Sequence, residues 1–273
     1  MKVAVTGDFD NLNSRHVRLL EEAAKLGPLC VSLWSDSTVR KIVGRPPKFP
    51  EQERLYLLQS LRYVDQVSLI AAATEAELLG KLYAAHPADT WLADEAGATP
   101  VWRESTRTRG VPHVIVSDQQ LQGFDVPAFY PPANGSGRKR VVVTGCFDWF
   151  HSGHVRFFEE VAALGDLYVI VGHDANVTLL KGASHPLFPE KERQYMTYAV
   201  RFVKQALISS GHGWMDAAPE IAAIRPDIYA VNEDGDQPEK QAFCREHGIE
   251  YKVFKRAPKP GLPKRQSTVL RGF

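Results

Sequence analysis

Two periods of apolar and polar residues alternate along this chain. The runs RVVVT (140–144) and LYVIV (167–171) are short, apolar and β-branched, which reads as buried strand. Between them, SGHVRFFEEVAALG (152–165) places Val155, Phe158, Val161 and Ala162 at helical spacing and stops at Gly165. The same reading predicts a helix over 190–203 started by Pro189, strands over 205–208 and 227–231, a helix over 238–247 closed by Gly248, and a last strand over 251–254. Strand and helix alternating at this spacing predict an α/β fold, a parallel sheet with helices on both faces. In such sheets the ligand lies beyond the C-terminal strand ends, where the strand order reverses.

The pattern occurs twice. A shift of 138 positions lays Val3–Gly27 over Val141–Gly165 with 15 of 25 positions identical, so TGDFDNLNSRHVR (6–18) is a near-copy of TGCFDWFHSGHVR (144–156). FPEQER (49–54) returns as FPEKER (188–193) after a one-residue slip, and RGVPHVIV (109–116) matches the apolar pattern of HGIEYKVF (247–254). Two tandem domains of one Rossmann-like fold are expected, over 1–125 and 140–273. The stretch 126–139, rich in Pro, Gly and Ser, reads as the linker between them.

Composition narrows the function only by exclusion. Hydrophobic residues make up 44% of 273 and the net charge is +1, so no overall basic field points to nucleic acid or an anionic membrane. No run of about 18 apolar residues is present to span a bilayer. Three cysteines without a Cys-x-x-Cys pair give neither a disulfide framework nor a thiolate metal site, and a cytoplasmic setting is the default expectation.

The chemistry concentrates in the loop before the helix at 152. A helix N-terminus attracts anions, Gly153 leaves its backbone open to close approach, and His151 and His154 lie three apart at the helix start. Together they suit a phosphate. In the first copy Asn13 and Arg15 stand for His151 and Gly153, Val43 lies opposite Lys181, and no Ser-Thr pair follows the last strand. That copy reads as catalytically silent, kept for scaffold, dimer-like packing or regulation.

TGCFD followed by HSGH resembles the His-x-Gly-His signature of the nucleotidylyltransferase superfamily. The wider pattern is similar to its cytidylyltransferase branch, which includes the glycerol-3-phosphate, phosphocholine and phosphoethanolamine enzymes. GHDANVTLLKG (172–182), FPEKER, NEDGD (232–236) and RQSTVL (265–270) fall in the family's order, although NEDGD departs from the usual wording. The resemblance implies catalytic roles for His151, His154, Lys181 and Arg193. It implies nucleotide contacts from Thr144, Gly145, Cys146, Phe147, Gly153, Asn232, Asp234, Asp236, Arg256, Ser267 and Thr268, and contacts to the second substrate from Asp148, Trp149 and Asp174.

Each residue also has a plainer reading. Lys181 and Arg193 could be solvated charges, Ser267 and Thr268 a helix cap, Asp234 and Asp236 a turn, and Trp149 core packing. His185 and His212–Trp214 have no assigned role. The reaction implied is in-line attack by a phosphorylated alcohol or sugar alcohol on CTP carrying Mg2+, with pyrophosphate leaving. The readings kept beside it are an adenylyltransferase using ATP and a nucleotide-binding sensor without turnover. The partners expected are CTP and a small phosphorylated substrate, with a pseudo-dimer of the two copies or a homo-oligomer, and neither nucleic acid nor membrane insertion.

Overall fold

The computed structural model describes residues 1–87, 89–131, 137–267 and 270. The chain forms two compact units, Met1–Gly123 and Phe124–Phe273. In the first, β1 (Val3–Gly7), β2 (Leu29–Trp34), β3 (Gln66–Ile70), β4 (Thr90–Asp94) and β5 (His113–Val116) make one parallel sheet in the order β3-β2-β1-β4-β5. Its helices are α1 (Ser14–Ala24), α2 (Asp36–Val43), α3 (Glu51–Gln59), α4 (Glu75–Ala85) and α5 (Pro100–Arg109).

The second unit repeats this plan. Strands β6 (Arg140–Gly145), β7 (Asp166–Val171), β8 (Val203–Ile208), β9 (Ile228–Asn232) and β10 (Glu250–Phe254) are parallel in the order β10-β9-β6-β7-β8. Helices α6 (Ser152–Ala162), α7 (Asp174–Lys181), α8 (Glu190–Tyr198), α9 (Ala218–Ile224) and α10 (Pro238–His247) connect them. The order reverses between β6 and β9, the switch point at which such sheets take a ligand. Among the described residues, no helix is long and apolar enough to cross a membrane.

Burial follows the apolar pattern. Leu167–Val171 of β7 is buried throughout, as are Val155, Phe158 and Val161 on one face of α6. The Leu-Gly pair common to both copies has a packing cause. A Cβ on Gly165 would lie 2.1 Å from the Lys139 carbonyl oxygen, and one on Gly27 would lie 2.8 Å from that of Met1. Gly248 closes α10 with φ 67°, which glycine adopts without strain.

The structure adds three details to the sequence pattern. The helix predicted over 190–203 ends at Tyr198, because Val203 leaves it to pair with Leu167 in the sheet. Helices α7 and α9 were not legible, being only 8 and 7 residues long. The stretch read as a linker is docked on the second unit where it is described. Gln205 Nε2 donates to the Pro127 carbonyl at 2.7 Å and Phe129 meets Tyr168 edge-on at 6.4 Å.

Candidate functional site

A cavity of about 390 Å³ opens beyond the C-terminal ends of β6 and β9 in the second unit. The start of α6 forms one wall. His151 is the N-cap of that helix and wholly buried, its Nδ1 accepting from the Gly153 N–H at 3.0 Å. Its Nε2 lies 3.4 Å from Ser267 Oγ, and its ring stacks on that of His154 at 3.9 Å. The imidazole covers Gly153 so closely that a Cβ there would meet His151 Cε1 at 2.9 Å. Glycine is thus required here by the packed imidazole; Gly153 itself lines the cavity, whereas His151 caps and supports the helix start without lining it.

His154 does line the cavity, and its Nδ1 is buried with no hydrogen-bond partner among the described residues. Burial, then the field of His151, holds its pKa well below the ordinary histidine value. Burial, reinforced by Arg256 and Arg265, brings that of His151 down to about 3. Both rings are neutral at pH 7, so each offers one N–H donor and no charge.

Several predicted site residues serve the fold, and the repeat identifies them. Arg193 is fully buried. It donates through Nε to the Phe188 carbonyl, through Nη1 to that of Cys146, and through Nη2 to that of Gly172 and to Asp174 Oδ1, at 2.6 to 2.8 Å. In the first unit Arg54 makes the same bonds to Phe49, Asp8, Trp34 and Asp36. Asp148 accepts from the N–H groups of Leu187 and Phe188, as Asp10 does from Lys48 and Phe49. In this structure Arg193 ties the Cys146 carbonyl after β6, and the Gly172 carbonyl and Asp174 at the start of α7, to α8.

The strained backbone is shared as well. Phe147 and Trp149 hold φ 51° and 47°, and Phe9 and Asn11 hold 45° and 55° at the matching positions. Gly145 is required because the Phe147 ring folds back over it, 2.8 Å from where a Cβ would sit. Strain that persists in the copy lacking the His-x-Gly-His pattern belongs to the loop design.

The structure brings Thr144, Gly145, Cys146, Phe147, Asp148 and Trp149 to the cavity on the first loop. Lys181 reaches it from the end of α7, and Asn232, Asp234, Arg256 and Ser267 from the opposite side. Arg256 Nη1 is paired with Asp234 Oδ2 at 2.6 Å. Asp236 is not brought there; its Oδ1 accepts from Gln241 Nε2 and the Tyr251 hydroxyl. Thr268, and with it the helix expected after Ser267, lies outside the described residues. Trp149 packs edge-on against Phe188 at 5.2 Å and also lines the cavity.

Sequence reasoning missed Asp216 and Lys240 and left His185 and Trp214 without a role; all four line the cavity. Lys240 was findable, since the 138-residue shift lays it on Trp102, a change from apolar to charged inside a matched frame.

In the first unit the equivalent place is filled from within. Arg15, at the position of Gly153, pairs with Asp94 at 2.7 Å and Asp118 at 2.6 Å, which stand where the second unit has Asn232 and Arg256. Asn13 caps α1 by accepting from the His16 N–H at 3.0 Å, and His16 Nδ1 accepts in return from Asn13. The retained histidine is thus part of a capping box.

No cluster of three or more metal-binding side chains occurs among the described residues. Of the cavity carboxylates, Asp148 is engaged by backbone amides, Asp234 by Arg256 and Asp216 by the Ser209 hydroxyl. Such a site suits a magnesium ion carried in on triphosphate oxygens and water, the usual mode for this cation.

Comparison with known proteins agrees with this architecture. The family model described as cytidylyltransferase-like matches residues 4–134 and 142–250. An FAD synthase of Methanoculleus marisnigri is 38% identical over 134 residues, covering 48% of this chain and 86% of that protein. The bifunctional protein HldE of Pelobacter propionicus is 36% identical over 120 residues, covering 43% of this chain and 24% of that protein. HldE of Azotobacter vinelandii is 29% identical over 262 residues, covering 90% of this chain and 52% of that protein.

Proposed function

Because this chain belongs to the cytidylyltransferase-like family and is a nucleotidyltransferase, we propose that its second unit moves a nucleotidyl group from a nucleoside triphosphate to a small phosphorylated acceptor. The observation carrying this reading is the convergence of His154, Lys181, Arg256 and Ser267 on one cavity at the start of α6. An acceptor phosphate oxygen attacks the α-phosphorus, the bond to the bridging oxygen breaks, and pyrophosphate leaves with the electron pair.

The chain supplies alignment and charge compensation, with no nucleophile of its own. His154, kept neutral by burial, donates a hydrogen bond to charge growing on the transferred phosphoryl group. His151 holds that ring by stacking and fixes the helix start. Lys181 brings an exposed cation to the triphosphate from the end of α7. Arg256 exchanges Asp234 for phosphate oxygens. A magnesium ion bound with the nucleotide would supply positive charge to offset that of the triphosphate.

Two readings of the base are supported by different observations. The FAD synthase relative is named for a product containing an adenylyl group, which favours ATP. The motif resemblance favours CTP, with a phosphorylated alcohol or sugar alcohol as acceptor. Pyrophosphate release with magnesium, comparing ATP and CTP across a panel of phosphomonoesters, decides between them. His154→Ala lowers turnover about 100- to 1000-fold, the usual effect of losing one preorganised donor. Nucleotide binding without release from any pair would favour a sensor instead.

A further inference from the structure

One charged side chain at the cavity has no part in the transfer just described. Lys240 stands in the first turn of α10, is 6% exposed and lines the cavity. Its Nζ donates to the Gly235 carbonyl at 3.1 Å and lies 5.9 Å from the centre of the Tyr229 ring. An ammonium carries three donors, so two have no acceptor among the described residues. Burial lowers its pKa, offset in part by Asp216, Asp234 and Asp236.

The fold does not need this charge. Removing an ammonium from water costs several kcal/mol, on the order of that for any buried ion. In the first unit the equivalent position in α5 is Trp102, packed in an apolar cluster with Trp91, which takes the place of Tyr229. The same scaffold thus closes with two tryptophans where no ligand is expected, and carries a lysine and a tyrosine where the cavity lies.

We propose that Lys240 reads the nucleobase, its ammonium donating to a ring nitrogen or carbonyl oxygen of the nucleotide held in this cavity. The proposal rests on the nucleotide reading above. Asp234 is paired with Arg256, but the negative fields of Asp216 and Asp236 that act on the ammonium disfavour a phosphate chain beside it, whereas a base edge is neutral. Such an edge offers acceptors to Lys240 and an N–H donor to Asp216, which lines the same cavity with its Oδ2 accepting from Ser209 Oγ at 2.6 Å. The groups assigned to the phosphates are others, His154 at the start of α6, Lys181, Arg256 and Ser267.

The test titrates ATP, CTP and inorganic tripolyphosphate into the full chain and its Lys240→Met variant, with thermal melting alongside. Methionine keeps an unbranched, adaptable stem without the charge. The variant is expected to bind the preferred nucleoside triphosphate about 10- to 100-fold more weakly, the effect of one lost charged hydrogen bond. It binds tripolyphosphate as the parent does and melts no lower. Unchanged nucleotide affinity overturns the proposal. So does an equal loss for tripolyphosphate, which would make Lys240 a phosphate ligand. If the variant melts early, Lys240→Ala with added propylamine decides, since restored nucleotide affinity supports a role for the ammonium and no restoration overturns it. A parent that binds neither ATP nor CTP refutes the proposed function and the base-reading role together, before any variant is compared.

Discussion

At the scale of single residues, the His-x-Gly-His stretch divides into a working ring and a supporting one. His151 is enclosed, capped and stacked, and His154 is the ring that meets the cavity. The enclosure has a consequence for stability. The unfolded chain takes up a proton on this imidazole near the ordinary value of about 6.5, whereas the folded one resists until about 3. Protons therefore favour the unfolded state in that window. The contribution of His151 is complete above about pH 6.5 and falls toward pH 3 by up to about 1.4 kcal/mol per pH unit. Urea midpoints measured at pH 7 and pH 4.5 are expected to fall further for the parent than for His151→Asn. Parallel losses would refute the assignment.

At the scale of elements, the matched loops show what the fold requires irrespective of chemistry. Arg193 and Arg54 each tie three carbonyls and one aspartate into a knot joining the first loop to the helix that begins at FPE. Removing either guanidinium leaves buried acceptors without donors. Arg193→Met and Arg54→Met are each expected to destabilise their own unit by on the order of 3 kcal/mol. Chemical denaturation would check this. A loss confined to Arg193→Met, with Arg54→Met neutral, would return Arg193 to the site.

At the scale of the whole molecule, one fold is used twice with opposite charge at the strand ends. The second unit places Gly153, Asn232 and Arg256 where the first places Arg15, Asp94 and Asp118, and the first set closes on itself as ion pairs. One nucleotide per chain is the expected stoichiometry, measured by calorimetric titration with a non-hydrolysable triphosphate. Two equivalent sites would show that the ion pairs of Arg15 do not keep the first unit silent.

The sequence by itself determined the two-copy architecture and the parallel α/β order, because apolar period and turn residues act locally and recur at a fixed shift. It also placed the cavity at the loop before α6, since strand order and helix polarity leave few places for an anion. Most residues of that loop were named in advance. Their division of labour was not legible, because Arg193 or Asp148 in a motif reads alike whether it faces a phosphate or a carbonyl. Only the tertiary structure decided that Arg193 ties the Cys146 carbonyl and Asp174 to α8, that His151 supports His154, and that Asp236 turns away to Tyr251. Lys240 reaches the cavity for the same kind of reason: α10 folds back against β9, and long-range packing selects which side chain ends beside the ligand site.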